Sequence, residues 1–338
     1  MTAPPNEGTL VARLERIARI LVPFLVSGAL LAYVFRRIDI RVALDYVTGD
    51  ILLRFLPALV VFLGFTLVIE AQCLHRVTLA NPTDATPIRR ATAARIKAAC
   101  YLLGLLNYAL GALGLSILLQ RRARSSLAAA AGMVFLISLF DIGSVLVWVA
   151  AGAALLQADA FGIRLGLLGA IIFSIVAGFA FLRAPLSMGP LERVRELEIL
   201  RALRSAPLAL LVEIGILRLL FVSSFVALVA ALFWAFGIEV GLIQLGLNVG
   251  IMLVVSALPI AAGGLGTGQI VFVELFSGLA PDAQLLSASI VFSFAMIVAR
   301  ALLGLLFAPE FTREALAAAR AASKEEAAGD ESEEPGPR

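Results

Sequence analysis

Leu258-Pro259-Ile260-Ala261-Ala262-Gly263-Gly264-Leu265-Gly266-Thr267-Gly268-Gln269 lies inside an apolar segment that runs from 241 to 278. Whether this segment crosses a bilayer or turns back within it decides the fold. Glycine supplies unusual dihedrals and lets chains approach closely. Non-helical backbone at membrane depth survives only where it is buried in protein or lines a watery cavity, because lipid cannot satisfy its polar groups. The segment reads as re-entrant, entering and leaving on one side.

The remainder of the chain makes a membrane the setting. Of 338 residues, 61% are hydrophobic and 15% charged, against roughly 45–50% and 25% in a soluble domain, and the mean hydropathy is +1.00. A soluble globular fold is excluded. A nucleic-acid binder is excluded as well, since no basic surface domain is left over despite a pI near 9.2. Cys73, Cys100 and the single histidine, His75, offer neither a disulfide framework nor a Cys/His metal site, and no cofactor is implied.

A bilayer core needs about 20 apolar residues per helix. Candidate segments are 17–35, 52–72, 98–119, 128–156, 164–182, 207–236, 241–278 and 284–308. The first ends in Arg36-Arg37 with no cleavage pattern and reads as an uncleaved span. Strict alternation of eight spans would put Arg121, Arg122 and Arg124 outside, together with Arg183, Arg193, Arg195, Arg201 and Arg204. That violates the preference for Lys and Arg on the cytoplasmic side. The conflict disappears if 98–119 is re-entrant from the inside and 241–278 from the outside, with both termini cytoplasmic. Twenty of the 27 basic residues are then inside, four are outside, and Arg54, Arg218 and Arg300 fall within spans. The expected fold is therefore all-α, a polytopic integral membrane protein with six full spans and two opposed re-entrant segments; eight spans is the alternative.

A shift of 152 residues places Gly111-Ala-Leu113-Gly114 on Gly263-Gly264-Leu265-Gly266, and it carries 52–72 and 128–156 onto later candidate spans. Two inverted-topology repeats are expected, about 17–156 and 164–308, with a binding site where their interrupted segments meet. Residues 1–12 form a cytoplasmic tail, 13–310 the membrane domain, and 311–338 a cytoplasmic acidic tail expected to be disordered. At 190–205, Leu and Ile alternate with Arg and Glu in a loose helical stripe. This suggests a surface helix on anionic head groups, or equally a charged connector.

Charges within spans cost roughly 2.5–3.5 kcal/mol each near a helix centre. Glu70 and Arg54 lie near the ends of their span and can snorkel. Asp141 is too deep to reach water and needs a partner. Glu213 and Arg218 point away from each other on one helix, so each looks to another helix. Arg300 occupies the centre of the last span. One reading is a buried salt bridge between Arg300 or Arg218 and Asp141 or Glu213; the other is that these arginines hold an anionic group, for which a guanidinium suits a phosphate. The run 259–269 lacks a Walker lysine and a preceding strand, so it is no nucleotide loop. Its amides can still bind an anion if a half-helix begins at Thr267 or Gly268, which would put Glu274 within that half-helix. No catalytic constellation accompanies these residues.

Pro259-x-x-x-Gly263-Gly264-x-Gly266-x-x-Gln269 resembles the signature of the membrane domain of the lysylphosphatidylglycerol synthase/flippase family. Arg300 followed by Pro309 looks like that family's last span. Asn107, Gly111-x-x-Gly114, the arginines at 121–124 and Asp141 look like its first re-entrant region and following helix. The resemblance implies a lipid-handling protein of a bacterial or archaeal plasma membrane. Its candidate substrate-binding set is Asn107, Gly111, Gly114, Asp141, Arg218, Gly263, Gly264, Gly266, Thr267, Gln269, Glu274 and Arg300. No aminoacyl-transferase domain follows residue 310, so lipid aminoacylation is not expected. Gln269 stands where many relatives have Glu, and the first re-entrant region lacks their Pro and acidic residue after Asn107.

Three functions compete. The first is a translocator of an anionic or phosphate-bearing membrane lipid, with no ATP or redox cofactor. The second is a membrane transferase acting on a lipid-linked substrate, for which only Asp141, Glu213 and Glu274 are available as acid or base. The third is a membrane partner of a separate glycosyltransferase or lipid synthase.

Overall fold

The computed structural model describes residues 36–81, 85–106, 108–156, 196–257 and 266–332, with single positions at 32, 33, 169 and 183. Among them all regular structure is helical: α1 (Ile40–Asp45), α2 (Gly49–Leu79), α3 (Arg90–Leu106), α4 (Tyr108–Ala123), α5 (Leu127–Leu156), α6 (Glu198–Ser205), α7 (Leu208–Phe236), α8 (Leu242–Ala257), α9 (Thr267–Leu275) and α10 (Asp282–Ser332). Among the described residues four helices are long and apolar enough to cross a membrane: α2, α5, α7 and the Asp282–Pro309 part of α10. The expected spans 17–35 and 164–182 lie almost wholly outside the described residues.

Sequence chemistry sets the ends of these helices. Thr48 caps α2, its hydroxyl accepting from the Ile51 N–H, and Asp50 pairs with Arg54 one turn later at 2.7 Å. α10 does not stop at the membrane boundary as expected. It continues to Ser332, so the tail expected to be disordered from 311 is helical up to that residue. Its run of Ala, Glu, Lys and Arg after Pro309 has the highest helix propensity available and explains the extension.

Each segment expected to turn back contains two described helices. In the first, α3 and α4 flank residue 107, which lies outside the described residues, and they pack on each other. The two ends of this hairpin meet, the Thr86 N–H donating to the Ala123 carbonyl at 2.6 Å. A Cβ on Gly111 would stand 2.9 Å from the Gly104 Cα, so the close approach of the two arms depends on glycine. In the second, α8 and α9 lie on either side of residues 258–265, which are outside the described residues. Here the Asn248 amide donates to the Leu275 carbonyl at 2.6 Å, which returns the end of α9 to the first half of α8.

One end of the bundle gathers the end of α2, both ends of the α3–α4 hairpin, α6 and the starts of α5 and α7. Ser205 at the end of α6 donates to Asn81 after α2, and Arg183 donates to the carbonyls of Leu203 and Ala206. Arg89, Arg90, Arg121, Arg122, Arg124, Arg201 and Arg204 belong to this basic end. At the opposite end Gln284 donates to the Phe236 carbonyl, and no Lys or Arg occurs between 237 and 299. The core has two parts. One is apolar and aromatic, with Phe62, Phe225, Phe233, Phe272 and Phe276 in edge-to-face contacts. The other packs α2, α3, α5 and α7 around Leu74, Ile96, Leu136 and Ile214.

Candidate functional site

Beside this second core, four helices each contribute one charged side chain to a buried chain of ion pairs. Lys97 Nζ of α3 lies 3.0 Å from Glu70 Oε1 of α2. The same oxygen lies 3.2 Å from Nη1 of Arg218, which α7 supplies. That Nη1 is not aligned for a hydrogen bond, so the attraction is coulombic. On its other side Arg218 donates from Nε to Asp141 Oδ1 of α5 at 2.5 Å, and its Nη2 also pairs with Oδ1. The guanidinium lies 3.9 Å from the centroid of the Phe221 ring, one turn along its own helix. At 1.5 Å per residue, the four groups lie about 10–20 Å from the basic end.

The pairing follows from the cost of the alternative. An ion in a low-dielectric interior is tolerated only with an opposite charge and hydrogen bonds around it, and removing one member of such a pair costs about 3–5 kcal/mol. Two acids and two bases cancel here. Arg300 does not take part: it lies on α10 with its guanidinium 5.7 Å from the centroid of Tyr101 on α3, and among the described residues no carboxylate lies within ion-pair distance of it. Tyr101 follows Lys97 by four residues and therefore shares its helix face. With Arg300 included, the buried set carries one surplus positive charge.

Of the residues expected from the sequence, the structure brings together Asp141 and Arg218. Asn107, Gly263 and Gly264 lie outside the described residues. Gly111 and Gly114 serve the packing of the α3–α4 hairpin, against Gly104 and Leu103 respectively. Gly266 precedes α9 with φ of +89°, a conformation that favours glycine, and Thr267 is the first residue of that helix. Gln269 is buried and caps α9: its Oε1 accepts from the Gly266 N–H at 2.6 Å and its Nε2 donates to Ser293 Oγ at 3.1 Å. Glu274 is half-exposed at the opposite end and pairs with Arg37 at 2.5 Å. Glu213 turns to Arg76 at 2.6 Å, so it is no partner for either Arg218 or Arg300.

Three members of the site were not foreseen. Glu70 was expected to snorkel, yet it is buried between two cations. Lys97 stands at the border of the apolar run 98–119, where its sequence context reads as a cytoplasmic basic residue, and no sequence motif singles out Tyr101. Their spacing of four residues on one amphipathic face, four residues after Ala93, is the signal that could have found the last two. No metal-ligating cluster of three or more His, Cys, Asp or Glu occurs among the described residues. No protein-family model, curated protein or solved structure matches this chain.

Proposed function

We propose that this chain translocates an anionic, phosphate-bearing lipid across a cell membrane, as the resemblance to the lysylphosphatidylglycerol synthase/flippase family implies. The observation that carries this reading is Arg300, a cation in the middle of an apolar helix with an aromatic neighbour and no acid paired to it among the described residues. An uncompensated charge at that depth costs a few kcal/mol. A lipid phosphate would offset the cost, because the guanidinium can hold two of its oxygens at once. The acyl chains stay in the bilayer while the head group passes. Arg218, cancelled by Glu70 and Asp141, serves as structure around the path.

The membrane arrangement we infer has six full spans and two opposed re-entrant hairpins, α3–α4 from the basic end and α8–α9 from the other. The meeting of Thr86 with Ala123 and of Asn248 with Leu275 supports it, as does the opposite course of α2 and α7. The basic end faces the cytoplasm by the distribution of Lys and Arg, which puts both termini there. Inverted repeats related by 152 residues account for the correspondence of α3 with α8 and of α4 with α9. A transferase draws less support, because Asp141, Glu213 and Glu274 are each engaged with a different arginine at separate places.

The test is transfer of labelled anionic and isoprenoid phospholipids in liposomes holding the purified protein. Transfer should exceed that of empty liposomes, and Arg300→Gln should slow it at least about tenfold, a loss of about 1.4 kcal/mol. Arg54→Gln, which removes a cation at the opposite end, should leave it unchanged. No acceleration with any of these lipids would end the proposal.

A further inference from the structure

We propose that Asp141 takes up one proton together with the anion received at Arg300, so that a lipid head group and a proton bind as a pair; this rests on the translocator reading above. The chain Lys97–Glu70–Arg218–Asp141 is sealed in its middle and open at its ends. Side-chain exposure is 4% at Glu70 and 1% at Arg218, but 22% at Lys97 and 24% at Asp141. Glu70 has two cations for one carboxylate. Asp141 has one, and shares it. Both contacts from Arg218 go to Oδ1, so among the described residues Oδ2 has no partner and is the oxygen at which an O–H bond can form. Arginine gives up no proton in a protein, which leaves the carboxylate as the acceptor.

The groups around Asp141 are few. Arg218 comes from α7, and Glu70 and Cys73 from α2, with Lys97 of α3 reached through Glu70. α8 brings no ionisable residue, while Arg121 and Arg122 of α4 and Glu198, Arg201 and Arg204 of α6 belong to the basic end, roughly 20 Å away along the helices. Protonating Asp141 from water neutralises one acid, breaks no covalent bond of the protein and leaves a second surplus positive charge in the buried set. The field at Arg300 then favours an anion more strongly, since Arg300 lies against Tyr101, on the same face of α3 as the Lys97 that begins the ion chain. Linkage is reciprocal: if the proton tightens anion binding, the anion tightens proton binding by the same factor.

Dihexanoylphosphatidylglycerol, a water-soluble phosphodiester that does not titrate near neutrality, is the probe. Added to the full-length protein in weakly buffered detergent, it should draw about one proton per bound molecule, read with a pH dye. Its affinity should rise as pH falls from about 8 to about 5, by at most about tenfold per unit. Asp141→Asn should abolish the uptake and flatten the pH profile, whereas His75→Gln should change neither. Binding without proton uptake overturns this inference alone, as does uptake that persists in Asp141→Asn. Absence of binding at every pH overturns both the inference and the reading of the site. If Asp141→Asn does not fold, the proton count on the unaltered protein decides.

Discussion

The two helix pairs, α3–α4 and α8–α9, are alike in frame and unlike in charge. Gly152 of α5 and Gly304 of α10, 152 positions apart, each press against the other half's hairpin. A Cβ on Gly152 would meet the Leu247 Cβ at 2.5 Å in α8, and one on Gly304 would meet the Leu102 Cγ at 2.6 Å in α3. Around α3–α4, however, stand Glu70, Lys97, Asp141 and Arg300, where the same shift gives Val222, Val249, Ser293 and, for Arg300, Trp148. Arg218 likewise answers to Thr66. The contrast teaches that backbone packing fixes the frame, while the chemistry that could hold a head group has been placed on one side of it only.

Three measurements would break or sharpen this contrast. The largest effect is expected at Arg218→Met, which leaves Glu70 and Asp141 buried with one cation between them and should destabilise the fold by about 3–5 kcal/mol in detergent unfolding. The double change Asp141→Asn, Arg218→Met should cost less than Arg218→Met alone, because Glu70 and Lys97 then remain as a neutral pair and no charge is stranded; a larger cost would show that the ion chain itself holds the helices together. Next, Gly152→Val and Gly304→Val should each lose about 1–3 kcal/mol from overpacking, and by similar amounts. A strong effect at one and none at the other would contradict a shared frame. Smallest is Glu274→Gln, at a half-exposed pair with Arg37, where the melting temperature should not move measurably.

Much of this frame was legible in the sequence. The apolar runs and the basic end follow from hydropathy and the distribution of Lys and Arg, and the close packing of α3 on α4 from glycine placement. The site was legible only in part, and the reason is helix length. α2 runs on to Leu79, beyond the apolar stretch that ends at 72, so Glu70 lies nine residues inside a helix where snorkelling cannot rescue it. α3 begins at Arg90, which puts Lys97 two turns deep although it borders the apolar run. A hydropathy window locates the greasy part of a helix and not the helix. Glu274 shows the converse: α9 has nine residues and ends beside it, so a position expected to face a cavity lies at a half-exposed terminus.

The crossed contacts of Gly152 and Gly304 also bear on ancestry. Each glycine receives a leucine from the opposite half, so part of the surface on which each hairpin packs belongs to the other half. On the inverted-repeat reading proposed above, a forebear half this size would have buried that surface against a second copy of itself turned upside down. Such a pair must tolerate insertion in both orientations, and fusing its members into one chain would free each to diverge, as the one-sided charges have.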